Sequence, residues 1–164
     1  MIFDKKLINS IKDILCQRGE TIAVAESVSS GMLQLALSQA DDAIHFYQGG
    51  ITAYNIGQKT RHLCIDPIKG EKCNCVSQHT AQEMALNICR MFTSDWGLAI
   101  TGYASPVPES GNRLFAYFAI VHHGSVKCSS KIVPEKDNPL KVQTAIYKDV
   151  LKQFHHLLYT DYAD

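Results

Sequence analysis

Thr21-Ile22-Ala23-Val24-Ala25-Glu26-Ser27-Val28-Ser29-Ser30-Gly31, continuing at once into Met32-Leu33-Gln34-Leu35-Ala36-Leu37, is the stretch from which the fold is read. Ile22 to Ala25 is a short apolar run of the kind that forms a buried strand. Glu26, the serines and Gly31 break it, and the apolar spacing after Met32 is helical. A strand, a tight polar turn and a helix met in that order do two things at one point. They hold a hydroxyl at the end of a sheet, and they leave the first helical N–H groups free for an anion. Ser27 is therefore the candidate nucleophile and Ser29-Ser30-Gly31 the candidate anion cradle. Serines ahead of a helix are also ordinary caps, so the local pattern alone leaves both roles open.

Outward from this point the chain keeps alternating. Asp4 to Arg18 places Leu7, Ile8, Ile11, Ile14 and Leu15 at helical spacing, with Gly19 at the stop. A helix to about Gln39 follows the serine turn. Gly49-Gly50 then precedes an expected strand, Ile51 to Tyr54, the paired glycines marking a close approach of ligand or backbone. Asn55 to Leu63 reads as a short helix, closed off by Pro67. Ser77 opens a longer one through Phe92, Trp96 to Ile100 is a compact strand, and Tyr103 to Asn112 is a turn-rich loop. Leu114 to His122 and Val126 to Val133 form a hairpin through His123-Gly124-Ser125. Asn138-Pro139 starts a last helix that runs through Leu158. The pattern predicts an α/β protein: a single domain over residues 1–164, three-layer α/β/α with a mixed β-sheet.

Composition narrows the function. Sixteen basic and sixteen acidic residues cancel in 164, so no global field draws nucleic acid or an anionic membrane. No run reaches the roughly 18 apolar residues of a membrane span, and Met1 to Lys6 lacks the apolar region of a signal peptide. A cytoplasmic protein is expected. Cys73-Asn74-Cys75, with His62, Cys64 and His79 near in sequence, has the look of a metal-ligand group without the paired spacing of a zinc site; reduced thiols and no metal are expected. His122-His123 reads as a strand end and His155-His156 as a solvated helix face. Tyr159, Asp161, Tyr162 and Asp164 read as a frayed tail.

Four markers in order resemble the CinA C-terminal domain family, the nicotinamide mononucleotide amidases. They are Ala25-Glu26-Ser27-Val28-Ser29-Ser30-Gly31, where the family has Ala-Glu-Ser-Cys-Thr-Gly-Gly; Gly49 to Lys59, against a strand ending Ala-Tyr-Ser-Asn-x-x-Lys; Cys75-Val76-Ser77, against Ala-Val-Ser; and Leu98 to Pro106, against Thr-Gly-Ile-Ala-Gly-Pro. The resemblance implies an amidohydrolase of pyridine-nucleotide salvage, related to competence- and damage-inducible proteins. It would convert nicotinamide mononucleotide to the nicotinic acid nucleotide and ammonia with no cofactor. It implies Ser27 as nucleophile, Lys59 as its base, and Tyr54 and Thr101 lining the site. Glu26, Ser29, Ser30, Gly31, Gly50, Gly102 and Ser105 would hold the small nucleotide substrate. It also implies a homo-oligomer, for which Phe46-Tyr47 and Phe115 to Phe118 are the candidate contacts.

A Ser–Lys pair is coherent chemistry, because a serine attacks poorly until a neighbour takes its proton. Lysine does so only when burial or nearby charge lowers its pKa from ~10.4. The chain departs from the family in its ligand-binding parts. Val107 to Arg113 replaces a glycine-rich loop, and Glu135-Lys136-Asp137 stands where the family tends to have Gly-Asp-Arg. Lys136 or Arg113 is left to meet a phosphate. The alternative function is a divergent, non-deamidating homologue that binds a nucleotide-like ligand or acts on another amide.

Overall fold

The computed structural model describes residues 3–160; of the expected frayed tail, Asp161, Tyr162 and Asp164 lie outside them, while Tyr159 belongs to the last helix, where its ring meets that of His155 edge-on at 4.8 Å. A five-stranded sheet has the order β2-β1-β3-β4-β5, formed by β1 (Ile22–Glu26), β2 (Tyr47–Thr52), β3 (Trp96–Tyr103), β4 (Phe115–His122) and β5 (Ser125–Ile132). β1 lies parallel to both β2 and β3, while β3–β4 and β4–β5 are antiparallel. The sheet is mixed because only the last two connections are short enough to reverse the chain directly.

Helices α1 (Lys5–Arg18), α2 (Met32–Ser38) and α6 (Pro139–Thr160) cover one face; α3 (Ile56–Leu63), α4 (Pro67–Lys72) and α5 (Gln78–Phe92) lie on the other side. Alternation along the strands sorts the two cores. Ile22, Val24, Leu98, Ile100, Phe118 and Ile120 pack under α1, α2 and α6. Ala23, Ala25, Ala99 and Ala119 face α5. Those small side chains let α5 come close: a Cβ at Gly97 would meet the Ala85 carbonyl oxygen at 2.3 Å.

The caps follow local chemistry. Asp4 accepts from the Leu7 N–H, Asn55 from Gln58 and Ser77 from Thr80, and Gly19 ends α1 at φ 65°.

Three further expectations change. β2 begins at Tyr47 and contains Gly49-Gly50 rather than following them, because those glycines pair with β1, where a Cβ on Gly50 would meet the Val24 carbonyl oxygen at 2.3 Å. Pro67 starts a helix instead of ending a region: Asp66 accepts from the Ile68 and Lys69 N–H groups, and proline suits the first turn. Phe46 and Phe118 are fully buried in the core, so they offer no contact surface.

Candidate active site

β1 delivers Ser27 to the carboxyl end of the sheet, where its N–H still donates to the Ile100 carbonyl at 3.0 Å and so extends the pairing with β3. The turn after it closes with the Ser30 N–H donating to the Ser27 carbonyl at 3.1 Å. Ser30 takes φ 50° and Gly31 φ 95°, conformations that favour glycine. The Gly-Gly of the family pattern thus serves the backbone at these positions, and Ser30 adopts the same bend with a side chain.

The anion cradle is already filled from within the chain. The fully buried Glu26 carboxylate accepts the N–H groups of Gly31, Leu33 and Gln34 at 3.2, 3.0 and 2.8 Å. The Met32 N–H goes to the Ser29 carbonyl. A carboxylate at a helix N-terminus is favourable on its own account, and here it uses the donors expected for the ligand.

A cavity of about 350 Å³ opens beside Ser27. Of the expected residues, Ser27, Tyr54, Lys59, Gly102 and Ser105 line it; Glu26, Ser29, Ser30, Gly31 and Gly50 do not. Gly102 is glycine for β4's sake, since a Cβ there would meet the Phe115 carbonyl oxygen at 2.5 Å. Tyr54 is exposed at the rim and Ser27 is nearly covered.

Lys59 arrives from α3 and is 3% exposed. Its Nζ donates to the Thr101 hydroxyl at 3.4 Å, and that hydroxyl donates to the Cys75 carbonyl at 2.7 Å. Thr101 is therefore a support beneath the cavity rather than part of its wall. Burial holds the Lys59 amine below its ordinary 10.5, against smaller opposing pulls from Cys75 and Cys73. Cys75 is buried, and burial pushes its thiol up; its side chain packs at Gly70. Cys73 and Cys75 do not gather a ligand set with His62, Cys64 and His79.

Sequence reasoning missed several lining residues. Asn74, at φ 50°, donates through Nδ2 to the Tyr103 hydroxyl at 3.0 Å, joining two walls. Gln143 reaches from α6 to donate to the Val28 carbonyl at 2.8 Å, beside the Ser27 turn. No short-range pattern marks either one, because each meets partners far away in the chain. Arg113 and Lys136, expected to meet a phosphate, do not line this cavity; they border a separate groove with Lys131 and Phe115.

The fold is thus a mixed sheet between two helix layers, with a nearly covered serine and a buried lysine at one cavity. Residues 4–158 match the family model of the CinA C-terminal domain, and the chain belongs to that family. A CinA-like protein of Synechocystis is 42% identical over 93 residues, covering 57% of this chain and 22% of that protein. A CinA-like protein of Prochlorococcus marinus is 38% identical over 110 residues, 67% of this chain and 26% of that one. The chain thus spans about a quarter of the length of these curated relatives. Among solved structures, a CinA superfamily protein from Klebsiella pneumoniae superposes with TM-score 0.89 at 23% identity, covering 95% of this chain and 98% of the other. One from Enterobacter cloacae gives 0.88 at 26% identity, with 94% and 91% covered. Among the described residues, no helix is long and apolar enough to cross a membrane.

Proposed function

We propose that this protein is a serine amidohydrolase that converts nicotinamide mononucleotide to the nicotinic acid nucleotide and ammonia. The observation that carries the proposal is a buried lysine, its amine held below the ordinary value by burial, lining the same cavity as the nearly covered Ser27. With its proton lost to solvent, Lys59 donates one N–H to Thr101 and has its lone pair free. It takes the Ser27 proton as Oγ attacks the carboxamide carbon. The Val28 N–H, on the cavity wall and outside the Glu26 set, supplies a donor to the oxyanion. Collapse of the tetrahedral species expels ammonia, which receives its proton from Lys59. Water activated by the same amine then releases the carboxylate from Ser27. The family resemblance supplies the substrate class, and a homo-oligomer in solution belongs to the same proposal.

One observation favours a second reading, an amide that carries no phosphate. Lys59 is the one charged side chain among the described residues lining the cavity, and a base that must be neutral cannot also neutralise a phosphate. Ammonia release from nicotinamide mononucleotide and from nicotinamide riboside separates the two. Turnover at least tenfold better with the nucleotide supports the first reading; equal or better turnover of the riboside supports the second. No ammonia from either one overturns the deamidation of nicotinamide nucleotides.

A further inference from the structure

At the opposite end of the sheet from Ser27 a second group of side chains converges. Glu20 precedes β1, His122 ends β4, and His123 occupies the turn to β5. One potential ligand atom from each lies within 4.8 Å of the others. We infer that Glu20, His122 and His123 form a site for a divalent transition cation of the Zn²⁺, Co²⁺ or Ni²⁺ class.

The distances suit such an ion. Glu20 Oε1 is 2.8 Å from His122 Nε2 and 3.7 Å from His123 Nε2. Ligands about 2.0–2.2 Å from a tetrahedral cation sit about 3.3–3.6 Å apart, so the two separations bracket the need. Imidazole nitrogens with one carboxylate oxygen are the donor set of catalytic and open zinc sites. Glu20 and His122 are largely covered, while the His123 side chain is 61% exposed. This leaves His123 room to close on the ion and leaves one position open to water.

The surroundings hold the three side chains in place, Glu20 by a hydrogen bond, His122 by ring stacking and His123 by a nearby carboxylate. The second oxygen of Glu20 accepts from Trp96 Nε1 at 2.7 Å, which turns Oε1 toward the imidazoles. Arg18 Nη1 stands 3.9 Å from that same second oxygen, away from the ligand atom, and its guanidinium donates to the Leu158 carbonyl at 2.6 Å. The His122 ring stacks on Trp96 at 3.9 Å, the two residues being register partners across β3 and β4. Asp95 Oδ1 lies 3.7 Å from His123 Nδ1, the nitrogen that does not face Glu20. Asp95 Oδ2 is itself fixed by the Thr21 N–H and hydroxyl at 2.7 and 3.0 Å. The turn is clamped as well: the His123 N–H donates to the Asp95 carbonyl at 2.9 Å. With φ 45° at His123 and 76° at Gly124, it has the form of a two-residue hairpin turn that suits right-twisted strands.

Trp96 is the one tryptophan of the chain, and it touches two of the three ligands, so its emission reports on this end of the sheet. Titrating the purified protein with Co²⁺ is expected to quench Trp96 saturably at one equivalent per chain. His123→Asn keeps a residue favoured at that turn and removes the ligand; it is expected to raise the half-saturation point at least tenfold. Glu20→Gln is expected to abolish saturation. Absence of saturable quenching in the parent overturns the site, as does a His123→Asn titration that matches the parent. An intense near-ultraviolet thiolate–Co²⁺ band growing in step with the quenching would assign the metal to cysteine and also overturn it.

Discussion

Lys59 Nζ and Thr101 Oγ1 are 3.4 Å apart, and the onward bond from the Thr101 hydroxyl to the Cys75 carbonyl fixes which of them donates. The threonine proton is committed to Cys75, so its lone pair must receive an N–H of Lys59. In the neutral amine this points the nitrogen lone pair elsewhere, which is what a base toward Ser27 requires.

The pH profile of kcat/KM should therefore rise through the Lys59 pKa, with a midpoint below 10.5. The sign follows from the role: the charged amine cannot accept a proton, so the acid side is inactive. Thr101→Val removes an acceptor that favours the charged form, and the rising limb should move to lower pH while kcat falls about tenfold. A Thr101→Val profile that superimposes on the parent contradicts the positioning role.

A buried amine also weighs on stability. The folded pKa of Lys59 lies below its unfolded value, so the unfolded chain holds this proton more tightly. The cost to folding is complete below the folded pKa and disappears as pH rises toward 10.5. Lys59→Met should abolish turnover and stabilise the fold at neutral pH by on the order of 1 kcal/mol. Urea unfolding read at neutral pH and again near pH ~10 checks this, the gain being smaller at the higher pH.

Glu26 holds the turn after Ser27 by accepting N–H groups of Gly31, Leu33 and Gln34. Glu26→Gln keeps the shape but turns one acceptor into a donor facing donors. A loss of about 1–3 kcal/mol is expected, with Tm lower by roughly 2–4 °C per kcal/mol. An unchanged melting curve would show that those N–H groups find other partners.

Ser30 pays for φ 50° with a side chain in place. Ser30→Gly should raise stability by up to about 1 kcal/mol and leave kcat/KM within about twofold, since Ser30 does not line the cavity. A large change in KM would return Ser30 to the substrate.

Gly50 was expected to meet substrate, but a Cβ there would strike the Val24 carbonyl oxygen and side chain at 2.3 and 2.6 Å. Gly50→Ala should lower stability by about 1–3 kcal/mol through overpacking. Its effect on KM should be small in whatever fraction stays folded.

Much of this architecture was legible because its determinants are local. Asp4, Asn55, Ser77 and Gly19 mark helix ends within one turn, and apolar runs or helical apolar spacing mark β1, β3 and β4 and helices α1, α2, α5 and α6. The start of β2 was not legible, since Gly49-Gly50 looks like a break until Val24 is laid against it. The Asp66-Pro67 helix start carried the same signal as Asn138-Pro139 and went unread. At the candidate site, Ser27 is marked by the local strand–turn–helix pattern and Lys59 by the family resemblance, and the fold brings the two to one cavity across the 31 residues between them. Glu26 is expected among the substrate contacts, but its carboxylate meets the Gly31, Leu33 and Gln34 N–H groups, partners that come together only after the turn bends. Asn74, Tyr103 and Gln143 come from three distant segments, and only the folded sheet end brings them to one cavity.

The most direct measurement is ammonia release from nicotinamide mononucleotide by the parent, Ser27→Ala and Lys59→Ala proteins, each checked for folding by circular dichroism. The account predicts turnover in the parent and a loss of at least a hundredfold in both folded variants. Full turnover in Ser27→Ala would contradict it.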